Sequence, residues 1–387
     1  MEQKTARIAA IKGVYDIEIQ EYPIPELQPG CMLIKIEAAA VCGSDKHNLT
    51  TPPKATRTIG HEFCGRIVAM AEGAKEAIHC YNGEVEVGDR VAVYPHVTCG
   101  TCYYCTHYEN GNMFCENDWM YGGSKADRTK LKNNCPDEWP HFKGGFADYV
   151  YLFPNSFVWK VPDDMPAKVA VLLDPCAVAM RAVEQAMTDV GGVNEGVSVS
   201  SRCLIVGDGT IGVLTGMILR EMGVAWIGFT GHRNAKLQLA KELSQADAVI
   251  NTKGMSEDEM KAAVREAVGG DPDIVFAAGN SAAATYESLQ YVRNMGTLIA
   301  LGGLNLPADP AHPLYNRLLF RKNAHITAVA TNMPSTYDRA WSLLLRWKRI
   351  PFERIMTHEF HTLEELLPSA KHMGDDDYLK AVYLPEA

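Results

Sequence analysis

Leu204-Ile205-Val206-Gly207-Asp208-Gly209-Thr210-Ile211-Gly212 is the stretch whose reading decides the fold. Its three apolar residues predict a buried strand, and the run from Ile211 to Met222, stopped by Gly223, predicts a helix. Between them, glycines at 207, 209 and 212 have the spacing of a turn that lets backbone approach a pyrophosphate. The N-terminus of the following helix would meet the negative charge of that group. Gly207, Gly209, Thr210, Ile211 and Gly212 are therefore the expected dinucleotide cradle.

Reading outward, the next strand runs from Val224 to Phe229 and is followed by Thr230-Gly231-His232-Arg233-Asn234. A site for NAD carries Asp or Glu at this strand end to hold the ribose 2′-hydroxyl, and none stands here. Gly231 leaves room for a 2′-phosphate, Arg233 offers a guanidinium fork to it, and His232 a further donor. The expected coenzyme is NADP, with NAD as the alternative. Further strands at Asp273–Phe276 and Thr297–Leu301 alternate with helices. Near-continuous apolar strands separated by helices predict an α/β fold with a doubly wound parallel sheet.

The texture differs before about Asp174. Short alternating segments punctuated by Pro and Gly (Val14–Ile19, Met32–Ile36, Gly65–Ala69, Gly88–Val93) predict an all-β stretch over roughly the first 150 residues, the body of a β-rich domain. Residues 116–143 are polar with Trp119, Tyr121 and Trp139 interspersed, and read as a surface loop or insertion. A helix near Thr336–Lys348 and a strand at Lys380–Tyr383 are expected to rejoin the first region. The boundaries drawn are 1–177 with 332–387 for a β-rich domain, and 178–331 for the nucleotide-binding domain.

Composition narrows the function classes. The chain has 387 residues, 47% of them hydrophobic, and a net charge of −10. That length predicts two domains. The negative balance argues against nucleic acid and anionic membrane surfaces as partners. No secretory pattern and no bilayer-length apolar run is seen, so a cytoplasmic location is expected. An odd cysteine count, 11, in such a chain argues against a disulfide framework.

Four of those cysteines, Cys99, Cys102, Cys105 and Cys115, lie close together at spacings that could wrap one tetrahedral metal in thiolates. A four-cysteine zinc site with no open position is structural. A second constellation, Cys42-Gly43-Ser44-Asp45-Lys46-His47 followed by Gly60-His61-Glu62, offers thiolate, imidazole and carboxylate ligands, with a hydroxyl and a second imidazole suited to passing a proton. Cys42 and His61 are the expected fixed ligands of a catalytic zinc. The remaining ligand comes from Asp174, Cys176 or Glu62, the last either as an alternate ligand or as a neighbouring group.

These motifs, together with Gly88-Asp89-Arg90-Val91 and Gly144-Gly145-Phe146-Ala147-Asp148-Tyr149, resemble those of the zinc-dependent medium-chain alcohol and polyol dehydrogenases over essentially the whole chain. The resemblance implies a GroES-like catalytic domain joined to a Rossmann domain, and two zinc ions per chain. It assigns Cys42, His61 and Asp174 to the catalytic zinc, Ser44 and His47 to a proton relay, and Asp45 to orienting the histidine ligand. The carboxylate at 174 is similar to the sorbitol-dehydrogenase and bacterial secondary-alcohol branch. The implied reaction interconverts a secondary alcohol (polyol, cyclitol or sugar-like) and its ketone by hydride transfer with NAD(P). The alternatives on the same scaffold are a zinc-independent reductase of an activated double bond and a non-catalytic nucleotide-binding protein. The ligand set and the relay argue against both. The resemblance further implies a homodimer or homotetramer, paired through a sheet edge around Leu298–Gly303.

Overall fold

The computed structural model describes residues 4–109, 113–123, 134–188, 196–279, 281–301, 321–329 and 332–386. They form two compact units, Met1–Asp174 with Asn332–Ala387, and Pro175–Thr331. No described helix is long and apolar enough to cross a membrane.

In the second unit six strands pair in parallel throughout. Their order is Ala248–Asn251, Trp226–Gly231, Arg202–Val206, Ile274–Ala277, Thr297–Ala300, His325–Ala328. The strand Arg202–Val206 lies centrally and the chain winds outward from it first to one side and then to the other, which is the doubly wound Rossmann order. Leu204, Val206, Val275 and Leu298 are buried in one apolar cluster with Val264 and Leu289 from the covering helices. The chain therefore turns at Gly207, at the carboxyl end of the central strand, into the helix Thr210–Glu221. The expected sheet-edge contact at Leu298–Gly303 is corrected. Thr297–Ala300 has partners on both sides, and His325–Ala328 is the outermost described strand on that side. Residues 302 and 303 lie outside the described residues.

In the first unit the strand Met32–Ala40 is central. It pairs antiparallel with Glu62–Met70, with Tyr149–Leu152 and with the C-terminal strand Lys380–Tyr383. Ile34, Ile36, Ile67 and Val150 of these strands, with Val91 of the neighbouring strand Arg90–Val93, are buried in one core. Two expectations are corrected here. The β-rich region contains the helix Gly43–Thr50, which is short and mostly polar and so shows little helical period in sequence. Its start is fixed instead by a side chain, Asp45 Oδ2 accepting from the Cys42 N–H at 2.9 Å. The stretch 116–143 is not all surface loop. Trp119–Met120 pairs with His96–Val97, and Trp119 and Tyr121 are fully buried against Phe153. Trp139 is exposed, and residues 124–133 lie outside the described residues.

Candidate active site

Strand register assembles the first site. Ala40 stands opposite Glu62, so Cys42, just past the end of one strand, comes beside His61 and Glu62 at the start of its antiparallel neighbour. The C-terminal strand pairs Val382 with Ala40, which brings Lys380 to the same place. One ligand atom each from Cys42, His61 and Glu62 then lies within 4.8 Å of the others. His61 and Glu62 are buried. Asp45 bridges two of these residues: while Oδ2 holds the Cys42 amide, Oδ1 lies 3.9 Å from His61 Nδ1. Lys380 Nζ stands 2.6 Å from Glu62 Oε2 and donates to the Val41 carbonyl at 3.1 Å.

These residues fit a zinc ion. Asp45 Oδ1 and His61 Nδ1 are buried without a hydrogen-bond partner, 3.9 Å apart, while Glu62 Oε2 has Lys380 as its ion-pair partner. Buried polar atoms left this way are costly, and a cation is the partner that thiolate, imidazole and carboxylate share. The electrostatics agree. Burial works against charge on His61, but the Cys42 sulfur, then Asp45 and Asp174, outweigh it and hold the imidazole well above its usual range. Surroundings that favour an imidazolium also favour a metal dication. Burial raises the carboxyls of Asp45 and Glu62.

Asp174 lies in the first turn of the helix Leu173–Ala186, half-buried, where its Oδ1 accepts from the Tyr337 hydroxyl. It is outside the group of described ligand atoms within 4.8 Å, although its charge acts on His61 and Glu62. Its rival Cys176 is fully buried, and burial alone pushes its thiol up to about 12. Ser44 and His47 are exposed one turn apart on the helix Gly43–Thr50, and so on one face of it.

The second cluster is built on different lines. Sγ of Cys115 lies 3.5 Å from that of Cys99 and 3.8 Å from that of Cys102, and Cys105 completes a group within 4.8 Å. A tetrahedron with zinc–sulfur bonds of about 2.3 Å has edges of about 3.8 Å, so the four sulfurs fit one ion. Backbone N–H groups of Cys102 and Asn117 donate to Cys99 and Cys115 at 3.4 and 3.3 Å. Burial raises the Cys99 thiol, but donors from Thr101, Asn117 and Cys102 outweigh it and bring it down to about 6.

In the second unit, a cavity of about 210 Å³ opens at the carboxyl ends of the strands, lined by Gly207, Asp208, Gly231, His232 and Arg233 among others. A Cβ at Gly212 would meet the Gly207 carbonyl at 2.4 Å, so glycine is required for this close turn. Nothing stands within 4 Å of where a Cβ at Gly209 would be, and Gly209, the cap of the helix Thr210–Glu221, has no side chain to satisfy its first amides. The cradle fits a dinucleotide pyrophosphate.

Several groups escape sequence reasoning. His96 and Asp118 form a buried pair at 2.8 Å, and Tyr94 beside His96 packs edge-on against Tyr337, the partner of Asp174. Burial first, then the charges of Asp118 and Asp174, hold the Tyr94 phenol well above its usual range. The one local signal is a histidine inside the apolar run Val93-Tyr94-Pro95-His96-Val97. Lys380, heading an apolar strand and yet buried, is the equivalent signal for the partner of Glu62.

Residues 28–163 match the family model described as alcohol dehydrogenase GroES-like domain, and residues 210–346 the model described as zinc-binding dehydrogenase. The chain is 27% identical to an L-threonine 3-dehydrogenase of Pyrococcus abyssi over 369 residues, 93% of this chain and 92% of that one. It is 26% identical to a sorbitol dehydrogenase of Gallus gallus over 361 residues, 89% of this chain and 87% of that one. An alcohol dehydrogenase from Thermotoga maritima has the same fold, with a TM-score of 0.83 at 24% identity, covering 99% of this chain and 100% of that one.

Proposed function

We propose a function from this premise: the chain belongs to the zinc-dependent medium-chain alcohol dehydrogenase family. It interconverts a secondary alcohol of the polyol, cyclitol or sugar-like class and the ketone, with NADP as the coenzyme. The observation that carries this reading is the convergence of ligand atoms from Cys42, His61 and Glu62 within 4.8 Å of one another, in the same chain as the dinucleotide cradle. The names of the two relatives, an L-threonine 3-dehydrogenase and a sorbitol dehydrogenase, support a secondary hydroxyl among polar neighbours as the substrate group.

Cys42 and His61 hold the catalytic ion, with Asp174 as the carboxylate ligand and Glu62 as its alternate. Bound there, zinc supplies Lewis-acid activation of the alcohol oxygen, and the nicotinamide supplies the hydride acceptor. Asp45 keeps the His61 ring and the Cys42 backbone in place through its two oxygens. Ser44 Oγ accepts the substrate hydroxyl's proton in a hydrogen bond, and His47, one turn on, passes it to solvent. Cys99, Cys102, Cys105 and Cys115 hold a structural zinc. Gly207, Gly209, Thr210, Ile211 and Gly212 seat the pyrophosphate, and Gly231, His232 and Arg233 the adenosine ribose with its 2′-phosphate.

The test is nicotinamide absorbance with a panel of secondary alcohols, polyols, cyclitols and sugars, run with NADP⁺ and NAD⁺ in parallel, alongside a zinc count per chain. Turnover with NADP⁺ at two zinc ions per chain is expected. Turnover with NAD⁺ alone removes the coenzyme assignment. A chain with only the cysteine-cluster zinc and no turnover removes the enzyme assignment.

A further inference from the structure

At the end of the strand Trp226–Gly231 the structure supplies a carboxylate that the strand itself lacks. It comes from Asp208, between the first two glycines of the cradle, and it is buried at 3% exposure. Its position depends on Gly231, where a Cβ would strike Asp208 Oδ2 at 2.6 Å. The glycine therefore makes room for Asp208 first.

The carboxylate is fully engaged. Oδ2 accepts from the backbone N–H groups of His232 and Arg233, each at 3.1 Å. Oδ1 accepts from Arg233 Nε at 3.2 Å and from Arg233 Nη2. Four donors fill the roughly four acceptor positions of a carboxylate. None is left for a ribose 2′-hydroxyl, so Asp208 does not replace the acidic residue of an NAD site, and its charge is matched by the guanidinium. Arg233 spends two of its five N–H donors on Asp208, and its side chain keeps 31% of its surface exposed. The other carboxylate lining the cavity, Glu287, accepts from Thr230 and Tyr291.

We propose that Asp208 is a positioning residue for coenzyme choice: it clamps one edge of the Arg233 guanidinium and the amides after the strand, so that the other edge is presented to a phosphomonoester on the ribose 2′-oxygen. This rests on the NADP reading above. A competing effect of opposite sign exists, because an aspartate near a phosphate dianion also repels it. The order of these effects follows from the geometry. A long side chain loses rotamer freedom on binding, and a clamp that has already restricted it lowers that cost. The repulsion is offset by the four donors already on the carboxylate.

Calorimetric titration of the full chain with adenosine 2′,5′-bisphosphate, 5′-AMP, NADPH and NADH separates the two signs without using turnover. In the native chain the 2′-phosphate compounds bind more tightly than their counterparts. Asp208→Asn keeps the size but sets an amide against the guanidinium. It should weaken adenosine 2′,5′-bisphosphate and NADPH about five- to tenfold and move 5′-AMP and NADH less than twofold. In an Arg233→Ala background the same change should have no such selective effect. Arg233→Lys, which keeps the charge but not the fork, is the second variant should Asp208→Asn unfold, and it should show the same selective loss. Tighter NADPH binding by Asp208→Asn, or equal loss for all four ligands, overturns the clamp while leaving NADP as the coenzyme. A native chain that holds NADH and 5′-AMP more tightly, with Arg233→Ala without effect, overturns the coenzyme reading and the clamp with it.

Discussion

The two cysteine-bearing sites of the first unit are built on opposite plans. In the lobe of Cys99, Cys102, Cys105 and Cys115 the ligand atoms are alike, they come from one stretch of chain, and their hydrogen-bond donors are local, the amides of Cys102 and Asn117. At Cys42, His61 and Glu62 the ligands are unlike. They come from a helix cap, a turn and a strand start, and need Asp45 on one side and Lys380 on the other. The first site is complete once it holds an ion. The second leaves Asp45 Oδ1 and His61 Nδ1 without a hydrogen bond, 3.9 Å apart, in surroundings that push His61 towards its charged form. Symmetry and local satisfaction suit a staple, whereas mixed ligands with charge to spare suit a site that exchanges a bound group.

The largest test of this contrast is Cys42→Ser. Loss of a Lewis acid removes several kcal/mol of transition-state stabilisation, and at 1.36 kcal/mol per decade the turnover should fall by about 10³-fold or more. Metal analysis should show one zinc lost and the cysteine-lobe zinc kept, with the circular dichroism spectrum unchanged. Activity within tenfold of the native chain would break the contrast.

How much of this was legible in the sequence follows the same division. The cysteine lobe and the glycine cradle are local patterns, and spacing alone describes them. The strand–helix alternation that makes the Rossmann unit is equally local. The second site is only half local: Cys42, Asp45, His61 and Glu62 are near each other in sequence, but Lys380 reaches Val41 across 339 residues, and Tyr337 reaches Asp174 across 163. Strand register brings the first pair together, and the second joins residues of two helices, so neither is a local pattern. Asp208 was hidden for another reason. It occupies a variable place in the glycine motif, where the side chain is not part of the pattern, and its partner is chosen by the space Gly231 leaves. The stretch around Trp119 and Tyr121 reads as surface loop because polar neighbours dilute the apolar signal, while a short strand pairing with His96–Val97 carries the two aromatics inside.

A finer test concerns Asp45. If the reactive site depends on its surroundings and the staple does not, Asp45→Asn should weaken zinc at Cys42 and His61 about 10- to 100-fold, the usual scale for a group that orients a ligand. Competition with a chromogenic chelator reads this directly, because the native chain and the variant should then release the first zinc at different chelator concentrations and the second at the same one. Equal release of both ions would mean that the carboxylate merely caps its helix.

The smallest effect tests the staple itself. The donors around Cys99 bring its thiol down to about 6, whereas burial pushes Cys115 up. Cys64 and Cys176, buried in the core, are pushed up to about 12. The thiolate is the species that reacts with iodoacetamide. In metal-stripped protein, labelling of Cys99 should therefore reach half its maximum near pH 6, where an ordinary thiol does so near 8.5, and Cys64 and Cys176 should stay unlabelled as internal controls. The sign of the linked stability is set by the same shift. A thiol whose folded-state value is lowered stabilises the metal-free lobe fully above the ordinary thiol range, and that contribution is lost as the pH falls through about 6. Peptide mapping by mass spectrometry reads the labelling. Half-maximal labelling of Cys99 near 8.5 would mean that the amides do not prepare the lobe for its ion, and that the ion itself organises the thiolates when it binds.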